Sequence, residues 1–296
     1  MNQQKEGPLV TFGHESNTQY SMKSIKAKKS LGQNFLIDEE ALTDIGRAVT
    51  LAEKHVIEVG PWYGALTEYI LSHHPASLDM VELDPDMVEI LDARFMADEK
   101  PPEISENFHR IVKATPIALH HADVLHFAPP YEDYVVIANI PYYITSPILF
   151  HFLYDIDNPP EEMVIMMQEE VGEKILEGRA KKPHHSYLSL AMELACEDIS
   201  IVRYVGRDSF DPPPKVDSIV LRFTVKQERN REKEQELLSL WRYAFTQPRK
   251  TLLSNMRGSP FDLDNVKAWI LECGYDEKVR AEAVGLEDWK LMINNI

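Results

Sequence analysis

The chain is poor in cysteine, in basic residues and in long apolar runs. Only Cys196 and Cys273 occur, far apart, so a disulfide framework and a cysteine-based zinc site are excluded, and a reducing cytoplasm fits. No apolar run approaches the roughly 18–20 residues of a membrane helix. The opening MNQQKEGPLV lacks an apolar core, so no secretory signal is expected. Lys and Arg number 31 against 48 Asp and Glu, a net charge of −17, which on its face argues against a nucleic-acid ligand. Internal repeats are absent as well.

What is present suffices for a real core, since 44% of the 296 residues are hydrophobic. At roughly 150 residues per domain the length favours two domains. The acidity is uneven: residues 227–296 hold 11 basic and 12 acidic residues, so nearly all the excess lies before them. Within that acidic part sits the run Lys23, Lys26, Lys28 and Lys29, and other basic groups are Arg179 to Lys182 and Arg249-Lys250 with Arg257. Taken singly, each reads as a solvated surface. Phosphate contacts, however, depend on local potential rather than net charge.

Residues 1–22 are polar and aperiodic and are read as a mobile tail. Ala41, Leu42, Ile45 and Val49 have helical spacing after an Asp38 N-cap. Strands are predicted at His55–Val59, Leu78–Leu83, 135–138, Met163–Met167, Ile199–Tyr204 and Ser218–Val225. Helices are expected over Ala65–Ser72 and from Asp86 to Met96, before an insertion-like segment with Pro101-Pro102. Such alternation predicts an α/β, mostly parallel, doubly wound sheet, with ligands beyond the carboxyl ends of its strands. After Thr224 the pattern is helical only, over Gln227–Phe245, Thr251–Met256, Asp262–Cys273 and Glu287–Ile293. The expected organisation is a tail over 1–22, a ligand-binding domain over 23–226 and a small helical domain over 227–296, jointed near Lys226–Lys233.

The chemistry concentrates at three strand ends. Glu58-Val59-Gly60-Pro61-Trp62-Tyr63-Gly64 follows a strand and opens a helix, where backbone can approach a ligand and free N–H groups are offered. Glu82 ends the next strand and can accept both hydroxyls of a ribose. This pair fits S-adenosylmethionine and a dinucleotide equally well, and a plain turn with a surface glutamate about as often. The tie is broken by Asn139-Ile140-Pro141-Tyr142, of the form Asn-x-Pro-aromatic. An adenine N6 lone pair is delocalised into its ring and is a poor nucleophile. An amide oxygen and a nearby backbone carbonyl can accept both N–H bonds and turn that lone pair toward a methyl donor. Pro141 shapes the turn through its fixed φ, and the Tyr142 ring can stack on the base, worth roughly 1–3 kcal/mol. Catalysis of this kind is mainly positioning.

Ser30 to Leu36, Glu58-Val59-Gly60-Pro61, Val81 to Asp84, Ala122-Asp123-Val124, Asn139 to Tyr142 and Phe210 to Ser218 occur in the order seen in ribosomal RNA adenine dimethyltransferases. The chain resembles the bacterial small-subunit members from about Lys23 to Lys290, including Ala244 to Leu252. That resemblance implies a Rossmann-like class I methyltransferase domain with a small C-terminal all-helical domain. It also implies S-adenosyl-L-methionine as methyl donor and, as target, N6 of two adjacent adenines in a hairpin loop near the 3′ end of small-subunit rRNA, late in subunit assembly. By position it assigns Asn34 and Leu36 to the methionine part of the cofactor, Gly60 to the cofactor loop, Glu82 to the ribose and Asp123 to the adenine ring. Asn139, Pro141 and Tyr142 form the catalytic turn, Asn139 also bordering the cofactor. Phe210 flanks the target base opposite Tyr142. RNA contacts are expected from Lys26, Lys28, Lys29, Lys215, Arg249, Lys250 and Arg257. The partners implied are small-subunit rRNA and the immature small subunit, met by a monomer in the cytoplasm.

The chain departs from the family pattern in three ways. Trp62 stands where the cofactor loop usually has glycine, Gln247-Pro248-Arg249-Lys250 carries one basic residue fewer than usual, and the overall acidity is unusual. The Trp62 ring is expected to swing outward over the cleft. The alternatives are a large-subunit rRNA adenine dimethyltransferase and a non-catalytic rRNA-binding assembly factor on the same fold. A DNA adenine methyltransferase fits less well, because its strand end more usually reads Asp-Pro-Pro-Tyr.

Overall fold

The computed structural model describes residues 27–28, 31–96, 107–112, 114–180 and 184–295. The expected tail, Lys23, Lys26 and Lys29 lie outside them. The first half contains β1 (Phe35–Leu36), α1 (Glu39–Arg47), β2 (His55–Val59), α2 (Ala65–Ser72), β3 (Ser77–Glu82) and α3 (Pro85–Leu91). There follow β4 (Asn107–Val112), β5 (Thr115–His121), β6 (Tyr134–Asn139), α4 (Thr145–Phe150), β7 (Glu162–Gln168), α5 (Glu169–Glu177) and α6 (Tyr187–Ala195). Then come β8 (Cys196–Val205), β9 (Phe210–Asp211) and β10 (Ser218–Val225). The remainder is helical: α7 (Arg231–Ala244), α8 (Leu252–Met256), α9 (Leu263–Glu272) and α10 (Leu286–Asn295).

Eight strands form one sheet in the order β4-β5-β3-β2-β6-β7-β10-β8. Pairings from β5 through β7 are parallel, while β4 at one edge and β10 and β8 at the other are antiparallel. Of the parallel strands, β6 and β7 are near-continuous apolar runs, as expected for strands covered by helices on both faces; all of β3 and β6 is buried. From β2 the chain moves outward to β3 and β5, then returns to β6 on the other side of β2. The switch point therefore lies between β2 and β6. Register aligns the strand ends there, because Val59 pairs with both Val81 and Ala138. Gly60, Glu82 and Asn139 consequently leave their strands side by side.

Local signals explain most boundaries. The Asp38 side chain accepts from the Ala41 N–H and caps α1, and Asp84 does the same for α3 from Asp86, with Pro85 in its first turn. The helix expected as far as Met96 ends in α form at Leu91 and continues as a wider π-type turn over Asp92–Met96. That turn seats Phe95 against Gly64, where a Cβ would lie 2.4 Å from the Phe95 ring. β4 and β5 were not expected from the sequence. β4 lies next to the Pro101-Pro102 segment, and Pro116 and paired histidines obscure the apolar pattern of β5. β5 takes its register from β3, through Leu78–Ile117 and Glu82–His121, and β4 takes its own from β5.

One face of the sheet packs on α1, α2 and α3, through Ile45, Leu66, Ile70 and Leu91. The other face is continuous with the helices beyond β10. A single cluster runs from Ile137's neighbours Val136 and Ala138 through Phe152 and Leu190 to Leu237, Trp241 and Trp289. The Trp269 and Trp289 rings stack at 5.4 Å in its far end. Among the described residues no helix is long and apolar enough to cross a membrane.

Candidate active site

A cleft opens beyond the carboxyl ends of β2, β3 and β6, lined among others by Gly60, Trp62, Glu82, Asp123 and Pro141. A second, narrow cavity lies beside it and is lined by Leu36, Glu58, Gly60, Trp62 and Asn139, among others. Gly60 has φ +67°, and a Cβ there would stand 3.1 Å from the Asn139 carbonyl oxygen. Glycine is required at that point, both for the left-handed backbone and for the close approach of two strand ends.

Glu82 is buried and accepts from the Leu83 and Asp84 N–H groups on Oε1, both at 2.9 Å. Its Oε2 accepts only a long bond, 3.3 Å, from the Trp62 N–H. Burial pushes its carboxyl up to about 7, with these backbone bonds acting in opposition. Glu58, one strand away, is pushed up to about 8 by burial. Its Oε2 accepts from the Thr67 hydroxyl at 2.7 Å, while Oε1 has no partner. Asp123 is half-buried at the lip of the cleft, and its carboxylate caps the next turn by accepting from the Leu125 N–H at 3.0 Å. The set suits a nucleoside: a glycine cradle, a carboxylate with a free face for a diol, and a second carboxylate for a ring amine.

Of the Asn139–Tyr142 turn, Ile140 and Pro141 line the cleft and Asn139 the second cavity, while Tyr142 lines neither. Asn139 is buried at the end of β6, and Pro141 has φ −57° as the turn begins. The Tyr142 hydroxyl lies 2.6 Å from the Ser218 hydroxyl at the start of β10, which holds its ring in one orientation. Ser218 closes the Phe210–Ser218 motif but has no role assigned to it from sequence, and the 64%-exposed Tyr143, which lines the cleft mouth, is not singled out there. A serine that anchors a tyrosine from 76 residues away leaves no local pattern.

Several predicted site residues are placed differently from expectation. Trp62 does not swing outward. It is 7% exposed at φ +55°, its ring edge-on to Phe35 at 5.6 Å, and its indole N–H donates to the Asn139 carbonyl at 2.6 Å. A left-handed tryptophan costs on the order of 1–2 kcal/mol, and the buried hydrogen bond and aromatic contact offset that cost. Phe210 is 3% exposed, packs in the core with Leu36 and Ile45, and lines neither cavity. It is held there by the β1–β9 pair, in which Leu36 faces Phe210.

Lys28 is not a free cation, because its ammonium lies 2.5 Å from Asp84 and 2.7 Å from Asp86. Gln33 completes this tie, donating to Asp84 at 2.6 Å and accepting from the Lys28 N–H at 2.7 Å. Asp84 therefore pins the segment before β1 against the cleft. Asn34 donates to the Gly32 carbonyl at 3.1 Å, within its own loop. Lys215, Arg249, Lys250 and Arg257 are exposed.

Comparison with known proteins agrees with this geometry. The chain is 34% identical over 275 residues to the ribosomal RNA small subunit methyltransferase A of Lactobacillus helveticus, covering 92% of both chains. It is 34% identical over 280 residues to the protein of the same name in Macrococcus caseolyticus, covering 92% of this chain and 90% of that one. Among solved structures, a dimethyladenosine transferase from Plasmodium falciparum matches with a TM-score of 0.65 at 23% identity, over 88% of this chain and 96% of that one. The 23S rRNA methyltransferase ErmE matches with a TM-score of 0.64 at 24% identity, over 88% and 99%. These two show the shared fold. A family profile described as ribosomal RNA adenine dimethylase matches residues 24–296, and this chain belongs to that family.

Proposed function

We propose that the protein transfers methyl groups from S-adenosylmethionine to N6 of two adjacent adenines near the 3′ end of small-subunit rRNA. The observation that carries this reading is the Asn139–Tyr142 turn, set level with Gly60 and Glu82 at the switch point of the sheet. Full-length similarity to small-subunit methyltransferases supports the choice of rRNA. We further take the protein to act as a cytoplasmic monomer on the immature subunit.

The nucleoside half of S-adenosylmethionine fits the residues present, because Glu82 keeps one oxygen face for a diol and Asp123 lines the same cleft. When bound, it supplies an electrophilic methyl group on a sulfonium. Glu82 would hold the ribose, Asp123 the adenine ring, and Leu36 would line the methionine end. The Asn139 amide oxygen and the carbonyl preceding Pro141 accept the two N–H bonds of the target amine and free its lone pair. Tyr142, held by Ser218, stacks on the base. No shifted general base is required, since the methylated ammonium sheds its proton readily.

The test is transfer of a tritiated methyl group to immature small subunits, large-subunit RNA and duplex DNA. Label should enter only the small subunit; label in either of the others instead overturns the reading. Asn139→Ala should lose most transfer while cofactor affinity stays within about tenfold, roughly 1.4 kcal/mol, because its contact matters most in the transition state. Near-normal turnover by this variant would remove Asn139 from the mechanism.

A further inference from the structure

The two cavities of the site share Gly60 and Trp62 as lining residues. On one side of the indole lie Glu82 and Asp123, the groups suited to a nucleoside. On the other lie Leu36, Glu58 and Asn139, of which the reading above gives Leu36 to the methionine end and Asn139 to the catalytic turn. The ring is thus a wall between the nucleoside end and the reacting end of a single cleft. It is held by one hydrogen bond, from its N–H to the Asn139 carbonyl at 2.6 Å, and by the edge contact to Phe35.

We propose that Trp62 is a gate on the cofactor site, opened only by a ligand whose own cationic N–H donor replaces the indole at the Asn139 carbonyl. This rests on the methyltransferase reading above. A ligand that spans both cavities cannot do so with the indole in place. The amino-acid arm of S-adenosylmethionine carries an ammonium, and a charged donor forms a stronger bond to a carbonyl than a neutral indole does. Glu58 lines the second cavity with one carboxyl oxygen, Oε1, that has no partner and can accept an N–H of that ammonium. A nucleoside without the arm occupies the Glu82 side and leaves the gate shut. Trp62 thereby selects for ligands with the complete amino-acid arm, at a cost in affinity for all of them.

The test compares S-adenosylmethionine with 5′-methylthioadenosine, which has the nucleoside and the sulfur but no amino-acid arm. Both are titrated by calorimetry into the wild type, Trp62→Phe and Trp62→Gly, and tryptophan emission is followed in the same samples. S-adenosylmethionine should bind Trp62→Gly about tenfold more tightly than wild type, while methylthioadenosine changes by less than about twofold. In the wild type S-adenosylmethionine should shift the emission component that Trp62→Phe lacks, and methylthioadenosine should not. Trp62→Phe keeps an aromatic ring at the position while losing the N–H and part of the ring, and it decides the matter if Trp62→Gly does not fold. A gain confined to S-adenosylmethionine supports the gate. Equal affinities of S-adenosylmethionine for all three proteins, equal gains for the two ligands, or an emission shift with methylthioadenosine overturn the gate alone. No binding of S-adenosylmethionine to any of the three overturns the methyltransferase reading with it.

Discussion

Two buried glutamates, Glu58 and Glu82, give the site its pH dependence. A carboxyl raised in the folded state keeps its proton where the unfolded chain has already lost it. Stability therefore falls as pH climbs from the ordinary value near 4.5 to the folded value, about 8 for Glu58, and is level beyond it. Glu58→Gln is neutral throughout and can still accept from Thr67. Its stability relative to wild type should rise by on the order of 3 kcal/mol between pH 6 and pH 9, read as urea midpoints by circular dichroism. Parallel pH profiles for the two proteins would show that Glu58 ionises freely. Glu82, the proposed ribose ligand, bears on binding instead. Accepting two ribose hydroxyls needs the carboxylate, and the free carboxyl lies at about 7. Cofactor affinity should weaken up to about tenfold per unit below pH 7, and Glu82→Gln should bind weakly with a flat profile. Calorimetry across pH 5.5–8.5 checks both.

At the scale of elements, the passage from β10 to α7 contains a buried ionic tie. The Arg229 guanidinium pairs with Glu234 at 2.6 Å, both side chains nearly inaccessible, and donates to the Leu153 carbonyl at 2.8 Å. It also lies over the Tyr154 ring at 4.8 Å. Arg231 donates to the Leu153 and Ile156 carbonyls beside it. These bonds fasten α7 to the segment after α4, and the shared apolar cluster continues the same contact. Arg229→Ala leaves Glu234 buried without its partner, which costs about 3–5 kcal/mol. Denaturant unfolding should show that loss, and Trp241, Trp269 and Trp289 emission should report release of the helices first. Replacing Arg229 and Glu234 together by apolar residues of similar volume should cost much less. Equal losses in the single and double variants would mean that the tie acts through packing alone.

Over the whole molecule, the −17 net charge must coexist with an RNA partner. Arg203 shows how the acidic part satisfies its own cations, reaching Glu40 at 3.2 Å and Asp44 at 2.6 Å. Lys28 is likewise taken up by Asp84 and Asp86. Arg249, Lys250 and Arg257 are exposed on the helical part, where acidic and basic residues nearly balance. Neutralising these three should weaken binding to small-subunit rRNA and lower the slope of log K against log salt by about 0.7–0.9 per lost phosphate contact. Neutralising Lys28 should instead lower thermal stability, since its partner Asp84 is buried. An unchanged salt slope in the triple variant would place RNA elsewhere.

Sequence alone determined most of the elements and the order of the chemistry. Continuous apolar runs named β2, β6, β7 and β10, helical spacing named α2 and α7, and the Asp38 cap marked the start of α1, because these signals are local. Ordered motifs placed Gly60, Glu82 and Asn139 at strand ends, and the parallel register brings them together. Edge strand β4 and its neighbour β5 escaped, since pairing rather than pattern defines them. Tertiary structure alone decided the inward turn of Trp62, whose acceptor lies 77 residues away. It alone decided the capture of Lys28, 56 residues from Asp84, and the burial of Phe210. Raised glutamates belong to the same class, because the dielectric around a carboxyl depends on everything packed against it. A residue's type is written in its sequence, but its partners are chosen by the fold.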